Sequence, residues 1–152
     1  MDNPFWQFSL DTYTRPGVAE LCLAAQDRHG LDVNLLLFAV WLGRRGLALS
    51  QAQVAALLAE TAVLRTSVIA PLRALRRQWK LLAEAAALRP SLQALELAAE
   101  RQLQDYLWQW ASRRQPGAVA SPVDNLLQVC RQGGLAGAES QRLANTLAKT
   151  LS

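Results

Sequence analysis

Apolar residues recur at intervals of three and four along most of the chain, which predicts helices and no strands. Asn3 and Pro4 are typical of a helix start, and they predict a short first helix that runs through Tyr13. A second helix should run to about Arg28, where Gly30 would end it in a left-handed conformation. The start of the chain therefore predicts two helices in succession.

The third predicted helix, from Val33 to about Arg45, is the most apolar segment of the sequence. Residues 35–42 read LLLFAVWL, so apolar side chains cover the whole circumference of this helix. Such a pattern is typical of a helix that other helices enclose. We therefore expect an all-α, single-domain bundle of about six to eight helices around a central apolar helix at about 33–45.

Two longer helices are predicted after a short fourth one. Ser50 and Gln53 form the pattern of a capping box, which opens the fourth helix. Helical spacing continues from about 63 to 87, where Pro71 should kink the helix or mark its first turn. The helix after Pro90 would pack against it as an antiparallel hairpin. Its predicted buried stripe consists of Leu92, Leu95, Ala99, Leu103, Tyr106 and Trp110.

The C-terminal part contains two shorter predicted helices. Ser121 and Pro122 begin a strong helix-start pattern. Further on, Leu143, Leu147 and Leu151 share one face of a final amphipathic helix. The sequence therefore predicts one domain, 1–152, with a main core at 1–114, a linker at 115–120 and two short C-terminal helices at 121–152.

Composition and charge narrow the class of protein without assigning a function. The chain has 152 residues, 51% of them hydrophobic, and a formal net charge of +4. A domain of this size can bury a core without disulfides or metals. The mild positive charge permits nucleic-acid binding but does not require it.

The cysteines and the single histidine form no recognisable site. Cys22 and Cys130 lie far apart and His29 is alone, so zinc-ligand spacing and a disulfide framework are both missing. We expect two buried thiols in a reducing compartment, and no cofactor or metal. The N-terminus lacks a leader pattern, and the longest apolar run, 35–42, is far below the ~20 residues of a membrane span. We therefore expect a soluble, cytoplasmic protein without membrane contact.

Several motifs in the first hundred residues carry a family resemblance. The pattern FWxFSLxxYxxPGV begins at Phe5, LxxQDxxGxDVNLLL follows at 23–37, and WLG stands at 41–43. With PLRALRRQWK at 71–80, these motifs resemble a family of uncharacterised bacterial proteins of about this length, chiefly proteobacterial. The resemblance extends through Glu100. It implies a bacterial, cytoplasmic helical protein and transfers no catalytic residue, because the family has no established activity.

Positive charge concentrates on the helix that contains Pro71. Between Thr61 and Pro90, six cations occur with one acid, Glu84. Four of them would lie within about 100° of one another on a helix, opposite the apolar stripe. Such a face could bind phosphates or an acidic protein, and the alternative is a solvated face that a neighbouring helix partly neutralises. The four residues are Arg73, Arg76, Arg77 and Lys80.

Two glutamates on the following helix are candidates for that neutralising role. Glu96 projects to the apolar side of its helix and Glu100 lies at the edge of that side. A carboxylate that faces a core needs a partner, and the hairpin offers the arginines opposite, so we expect a structural ion pair. A helical di-metal site would need a histidine three residues after each glutamate, where Ala99 and Leu103 stand.

A string of polar residues at 26–34 joins the second and third helices. Asp32 is placed to cap the third helix, and the remaining polar side chains could bond to the backbone. Alternatively, the turn and Trp41 could line a pocket for a small molecule. The turn lacks the order of acidic ligands that is typical of a calcium-binding loop. The polar side chains considered are Gln26, Asp27, Asp32 and Asn34.

The remaining candidate is Trp108, which falls off the predicted apolar stripe. It could mark a partner-binding edge with Arg113 and Arg114, or the C-terminal helices could cover it. The first functional hypothesis is a non-catalytic adaptor that binds an acidic protein partner through the Arg-rich face. RNA or DNA binding through the same face is the alternative, and a small-molecule binder or enzyme at 26–34 is the second alternative.

Overall fold

The computed structural model describes residues 2–115 and 120–152, and the described residues form eight α-helices without strands. The prediction of an all-α, single-domain bundle is confirmed. Most of the predicted linker at 115–120 lies outside the described residues. The helices are α1 Pro4–Tyr13, α2 Val18–His29, α3 Val33–Arg44, α4 Gln51–Glu60, α5 Ala70–Trp79, α6 Arg89–Ser112, α7 Pro122–Gln132 and α8 Gly137–Leu151.

The helix α3 forms the centre of the bundle. All of its residues from Asn34 to Gly43 are buried, as expected for a helix that is apolar on every side. It packs against α1, α2, α6, α7 and α8, which together cover its circumference. The prediction of a central apolar helix is confirmed.

Local signals fix where several helices begin. The Asn3 side chain accepts a hydrogen bond from the amide of Trp6 at 3.0 Å, and Asp32 accepts one from Leu35 at 3.2 Å. Ser50 and Gln53 form the complete capping box. These side chains satisfy amides that a helix N-terminus leaves without partners.

The helix α7 joins the main core through close contact with α3. A Cβ atom added to Gly43 would lie 2.3 Å from the backbone nitrogen of Pro122, so the two helices meet where α3 has no side chain. Nearby, the buried Asn125 accepts a hydrogen bond from the amide of Leu49 at 2.7 Å and donates to the carbonyl of Leu47 at 2.9 Å. The helix α7 thus holds the loop between α3 and α4.

The helix predicted at 63–87 is shorter than expected. It consists of a π-helical turn, Leu64–Ile69, followed by α5, which ends at Trp79. Pro71 stands in the first turn of α5, and the wider π-helical turn before it accommodates a residue that donates no backbone hydrogen bond. The prediction fails beyond Trp79 because α5 lies at the periphery, where Leu81, 87% exposed, has no surface to pack against.

The buried face of α6 is rotated from the predicted stripe. Leu95 and Tyr106 were expected inside, but they are 56% and 38% exposed. Gln104 and Leu107 are buried instead. The physical reason is that Gln104 donates a hydrogen bond from its NH₂ group to a side chain of α3, which offsets part of the cost of burying a polar residue.

Within the described part of the chain, no single helix is both long and apolar enough to cross a membrane. One bent pair, Gln51–Glu60 with Leu64–Trp79, reaches the required length and composition across a 54° bend.

Both cysteines are unpaired and buried, which predicts low reactivity in the folded protein. Burial raises the pKa of Cys22 and of Cys130 to about 11. At pH 8 only about one thiol in a thousand would then be ionised, and the thiolate is the reactive form. We expect iodoacetamide to label native protein at least about 100-fold more slowly than urea-unfolded protein. Mass spectrometry of quenched samples measures this, and equal rates in the two states would contradict the burial of the thiols.

Candidate functional site

The main candidate site is a cavity of ≈ 470 Å³ between α1, α2, α3, α5 and α6. Leucines from three helices form part of its wall, and they are largely exposed: Leu10 is 42% exposed, Leu23 38% and Leu97 54%. Polar side chains, most of them from α3, α5 and α6, form another part of the wall. The cavity is therefore amphipathic.

Ion pairs between α5 and α6 form one side of this cavity. Arg73 Nη2 lies 2.8 Å from Glu100 Oε1, and Arg73 Nε lies 3.8 Å from Glu96 Oε2. Arg76 Nε donates a hydrogen bond to the other carboxylate oxygen of Glu96. These four side chains, called the ion-pair cluster below, carry two positive and two negative charges. The cluster as a whole is therefore neutral.

A chain of amide hydrogen bonds extends from the ion-pair cluster into the interior. Asn34 Nδ2 donates to Glu100 Oε2 at 2.6 Å, and Gln104 Nε2 donates to Asn34 Oδ1 at 2.8 Å. Because the ionised carboxylate of Glu100 can only accept, Asn34 must turn its NH₂ group toward it. Asn34 then offers its oxygen to Gln104, which must use its own NH₂ group. The chain therefore has a fixed direction.

The direction of this chain leaves one acceptor without a partner. Gln104 Oε1 has no hydrogen-bond partner among the described residues, and neither has Ser9 Oγ. Both residues line the cavity and are almost completely buried, with 2% of Gln104 and 5% of Ser9 exposed. Buried polar atoms are rarely left unpaired in proteins. Two residues of the cavity wall thus each have a buried polar atom without a partner in the described part of the chain.

A tyrosine completes the polar side of the cavity. Tyr13 lines it, and burial raises the pKa of this phenol. The phenol is therefore protonated at neutral pH and can both donate and accept a hydrogen bond. Tyr13, Ser9 and Gln104 were not among the site residues that the sequence predicted. Only the polarity of Gln104 within the leucine-rich α6 could have pointed to a role.

The Arg-rich face differs from its prediction. The four residues were expected together on one face, with glutamates of the next helix as candidate partners, but only Arg73 and Arg76 point to α6 and its glutamates. Arg77 Nη2 lies 3.9 Å from Asp27 Oδ1, with both side chains half-exposed, and Lys80 is exposed. The structure therefore leaves Arg77 and Lys80 at the surface and brings the other two into the cavity wall.

The polar turn contributes to two different places. Gln26 and Asn34 line the cavity, whereas Asp27 faces Arg77. Asp32 caps α3, and its burial raises the pKa of this carboxyl group. Trp41 was grouped with the turn as a wall of one pocket, but it lies in another pocket with Trp108. The reason is that Asn34 and Trp41 lie seven residues apart, about two helical turns, so they stand near opposite ends of α3 and reach different pockets.

Trp108 is half-buried and packs against the main core. It lines a pocket of ≈ 430 Å³ at the ends of α3 and α6, which shares no residue with the cavity. Within 2–115 and 120–152, no three histidine, cysteine or carboxylate side chains group in a way that could hold a metal ion.

Comparison with known families assigns the chain. A family model described as protein of unknown function (DUF2390) matches residues 4–107. The chain belongs to this family. All residues that line the cavity, from Trp6 to Gln104, lie in the part that the DUF2390 model covers. No curated protein and no solved structure matches the chain.

Proposed function

We propose that the protein binds a small, neutral molecule with an apolar body and a hydrogen-bond donor in the cavity. The observation that carries this proposal is the unpaired carbonyl oxygen of Gln104, which the direction of the amide chain keeps free. A buried acceptor without a partner costs about 1–3 kcal/mol. A ligand that donates to this oxygen recovers that cost, and Ser9 Oγ supplies a second polar contact.

The charge balance of the cavity wall supports a neutral ligand. Arg73 and Arg76 are each held by a carboxylate of the ion-pair cluster. A charged ligand would have to displace one of these partners and leave another charge uncompensated in a partly buried place. A neutral hydroxyl or amide group avoids this cost.

The apolar part of the wall supports an apolar body. Leu10, Leu23 and Leu97 are each more than a third exposed, although they line a concave surface. A ligand that covers this apolar surface would gain about 25 cal/mol of binding free energy per Å² removed from water. A concave surface that combines apolar side chains with buried polar groups is typical of ligand sites in general.

Ligand binding in the cavity agrees better with the observed ion pairs than the adaptor and nucleic-acid hypotheses do. Both of those depend on four cations at one accessible face, and two of the four are held by Glu96 and Glu100. Arg77 and Lys80 alone would form a small patch. We therefore propose the second alternative from the sequence, a small-molecule binder, at a place next to the 26–34 turn.

A matched pair of probes tests this proposal. Heptan-2-ol can donate a hydrogen bond, whereas heptan-2-one has the same carbon skeleton and can only accept. We expect the alcohol to bind with a Kd of about 1 mM and the ketone about tenfold more weakly, a difference of about 1.4 kcal/mol. Titrations followed by amide NMR shifts measure both values. An alcohol that shifts no amide around the cavity, or that binds no better than the ketone, would contradict the proposal.

Two variants locate the preference for the alcohol. Gln104→Met removes the free carbonyl at similar volume, and we expect the affinities for alcohol and ketone to become equal. Gln102→Met makes the same chemical change on a residue of α6 that does not line the cavity, and wild-type preference is expected. A preference for the alcohol that persists in Gln104→Met would show that another group accepts the hydrogen bond from the alcohol.

A further inference from the structure

The pocket at the ends of α3 and α6 has a chemistry different from that of the cavity. Its volume is ≈ 430 Å³, and no acidic residue of the described ranges lines it. Two tryptophans and two arginines dominate its wall. These residues are Trp41, Arg45, Trp108 and Arg114.

The surroundings of this pocket are strongly positive. Four arginines, Arg44, Arg45, Arg113 and Arg114, stand at the C-terminal ends of the two helices. In the part of the chain that the structure describes, none of them lies within 4.0 Å of a carboxylate. Two of them, Arg45 and Arg114, line the pocket, and the two helix ends together contribute about one negative charge, so the pocket is positive.

The arginines are held in place by aromatic rings. The Arg45 guanidinium lies 4.7 Å from the centroid of Trp41, and that of Arg114 lies 3.5 Å from the centroid of Trp110. A guanidinium that stacks on a ring points its N–H groups outward in its own plane, where they can donate to an anion. Arg114 donates a hydrogen bond from one of these N–H groups to the backbone carbonyl of Trp110 at 2.8 Å.

Trp108 contributes an aromatic ring to the wall of the pocket. Among the described residues, no other ring or cation pairs with Trp108, and its side chain is half-buried. Aromatic rings of this kind serve as stacking surfaces for nucleic-acid bases.

We infer that this pocket binds a nucleotide unit, with the base stacked on Trp108 and the phosphate between Arg45 and Arg114. Arginine forks match the geometry of phosphate oxygens, and the absence of acids from the lining lets an anion approach. A free nucleotide and a single-stranded nucleic acid both present this chemistry.

Tryptophan fluorescence at low salt tests the inference with four probes: adenosine monophosphate, adenosine, inorganic phosphate and an oligodeoxyadenylate of eight nucleotides. We expect adenosine monophosphate to bind at least about tenfold more tightly than adenosine or phosphate, because only it makes both contacts. An oligomer that binds more tightly than the mononucleotide, with affinity that falls steeply as salt rises, assigns the site to single strands. Equal affinities assign it to the free nucleotide. If neither the mononucleotide nor the oligomer binds at millimolar concentration, the inference is wrong.

Variants separate the pocket from other basic and aromatic surfaces. Trp108→Leu should raise the Kd at least about fivefold, the lower limit for losing one base–aromatic stack, and Arg114→Gln should raise it about tenfold. Trp79→Leu changes a half-buried tryptophan of α5 outside the pocket and should leave the Kd unchanged. Wild-type affinity in folded Trp108→Leu would overturn the assignment. None of these residues lines the cavity, so the two sites can fail independently.

Discussion

Replacement of Gly43 by alanine is expected to lower the free energy of unfolding by about 3 kcal/mol. The added Cβ would lie 2.3 Å from the nitrogen and 2.7 Å from the Cα of Pro122. These are backbone atoms at the start of α7, so no side-chain rotation can relieve the overlap, and α7 must move away from α3. Such a movement opens the core on both sides of the contact.

A second glycine provides the matched control. Gly137 lies in α8, and a Cβ added there meets nothing within 4 Å. Because alanine favours helix over glycine, Gly137→Ala should leave stability unchanged or raise it by up to about 1 kcal/mol. Urea denaturation followed by circular dichroism at 222 nm compares both variants with the wild type. If Gly43→Ala unfolds at the wild-type urea concentration, the close packing of α3 on α7 is incorrect.

The sequence predicted the elements whose signals are local or uniform. The central helix was predictable because every face of 35–42 is apolar, so no choice of orientation was needed. The caps at Asn3, Asp32 and Ser50 were predictable because a capping side chain acts on amides only two or three residues away. Both kinds of signal are independent of the packing of distant helices.

The orientation of the peripheral helices was less predictable. In α6, apolar residues occur on most of the circumference, and the periodicity placed Leu95 and Tyr106 inside. The structure buries Gln104 on that helix because a partner is present on α3. A buried glutamine is recognisable only when the partner that satisfies it is known, and that partner lies 70 residues away in the sequence.

The same difficulty limited the prediction of the candidate site. The glutamates of α6 were expected to face arginines of α5, and the structure places them together. The cavity beside them could not be predicted, because its walls come from five helices whose relative positions no local pattern fixes. Ser9 and Tyr13 reach it from α1, for which the sequence indicated only an apolar face.

Glu100→Gln is expected to change the ligand preference of the cavity by reversing the amide chain. In the wild type, the carboxylate of Glu100 accepts from both Arg73 and Asn34, which leaves Gln104 with a free oxygen. A glutamine at position 100 has a single oxygen, and Arg73, which cannot accept, requires it. Its NH₂ group then faces Asn34, so the Asn34 amide must turn over, and the Gln104 amide must turn over after it.

The reversed chain would present an NH₂ group to the ligand in place of a carbonyl oxygen. We expect heptan-2-one to bind the Glu100→Gln variant about tenfold more tightly than it binds the wild type, so that alcohol and ketone become nearly equal. The fold should persist, because Arg73 keeps Glu96 at 3.8 Å and the change in volume is small. Amide NMR titrations of the two probes measure the effect, with Gln102→Glu on the outer side of α6 as the control for a charge change of equal size. Unchanged preference in folded Glu100→Gln would mean that the carboxylate does not set the direction of the chain, because a preference built on that direction cannot survive its reversal.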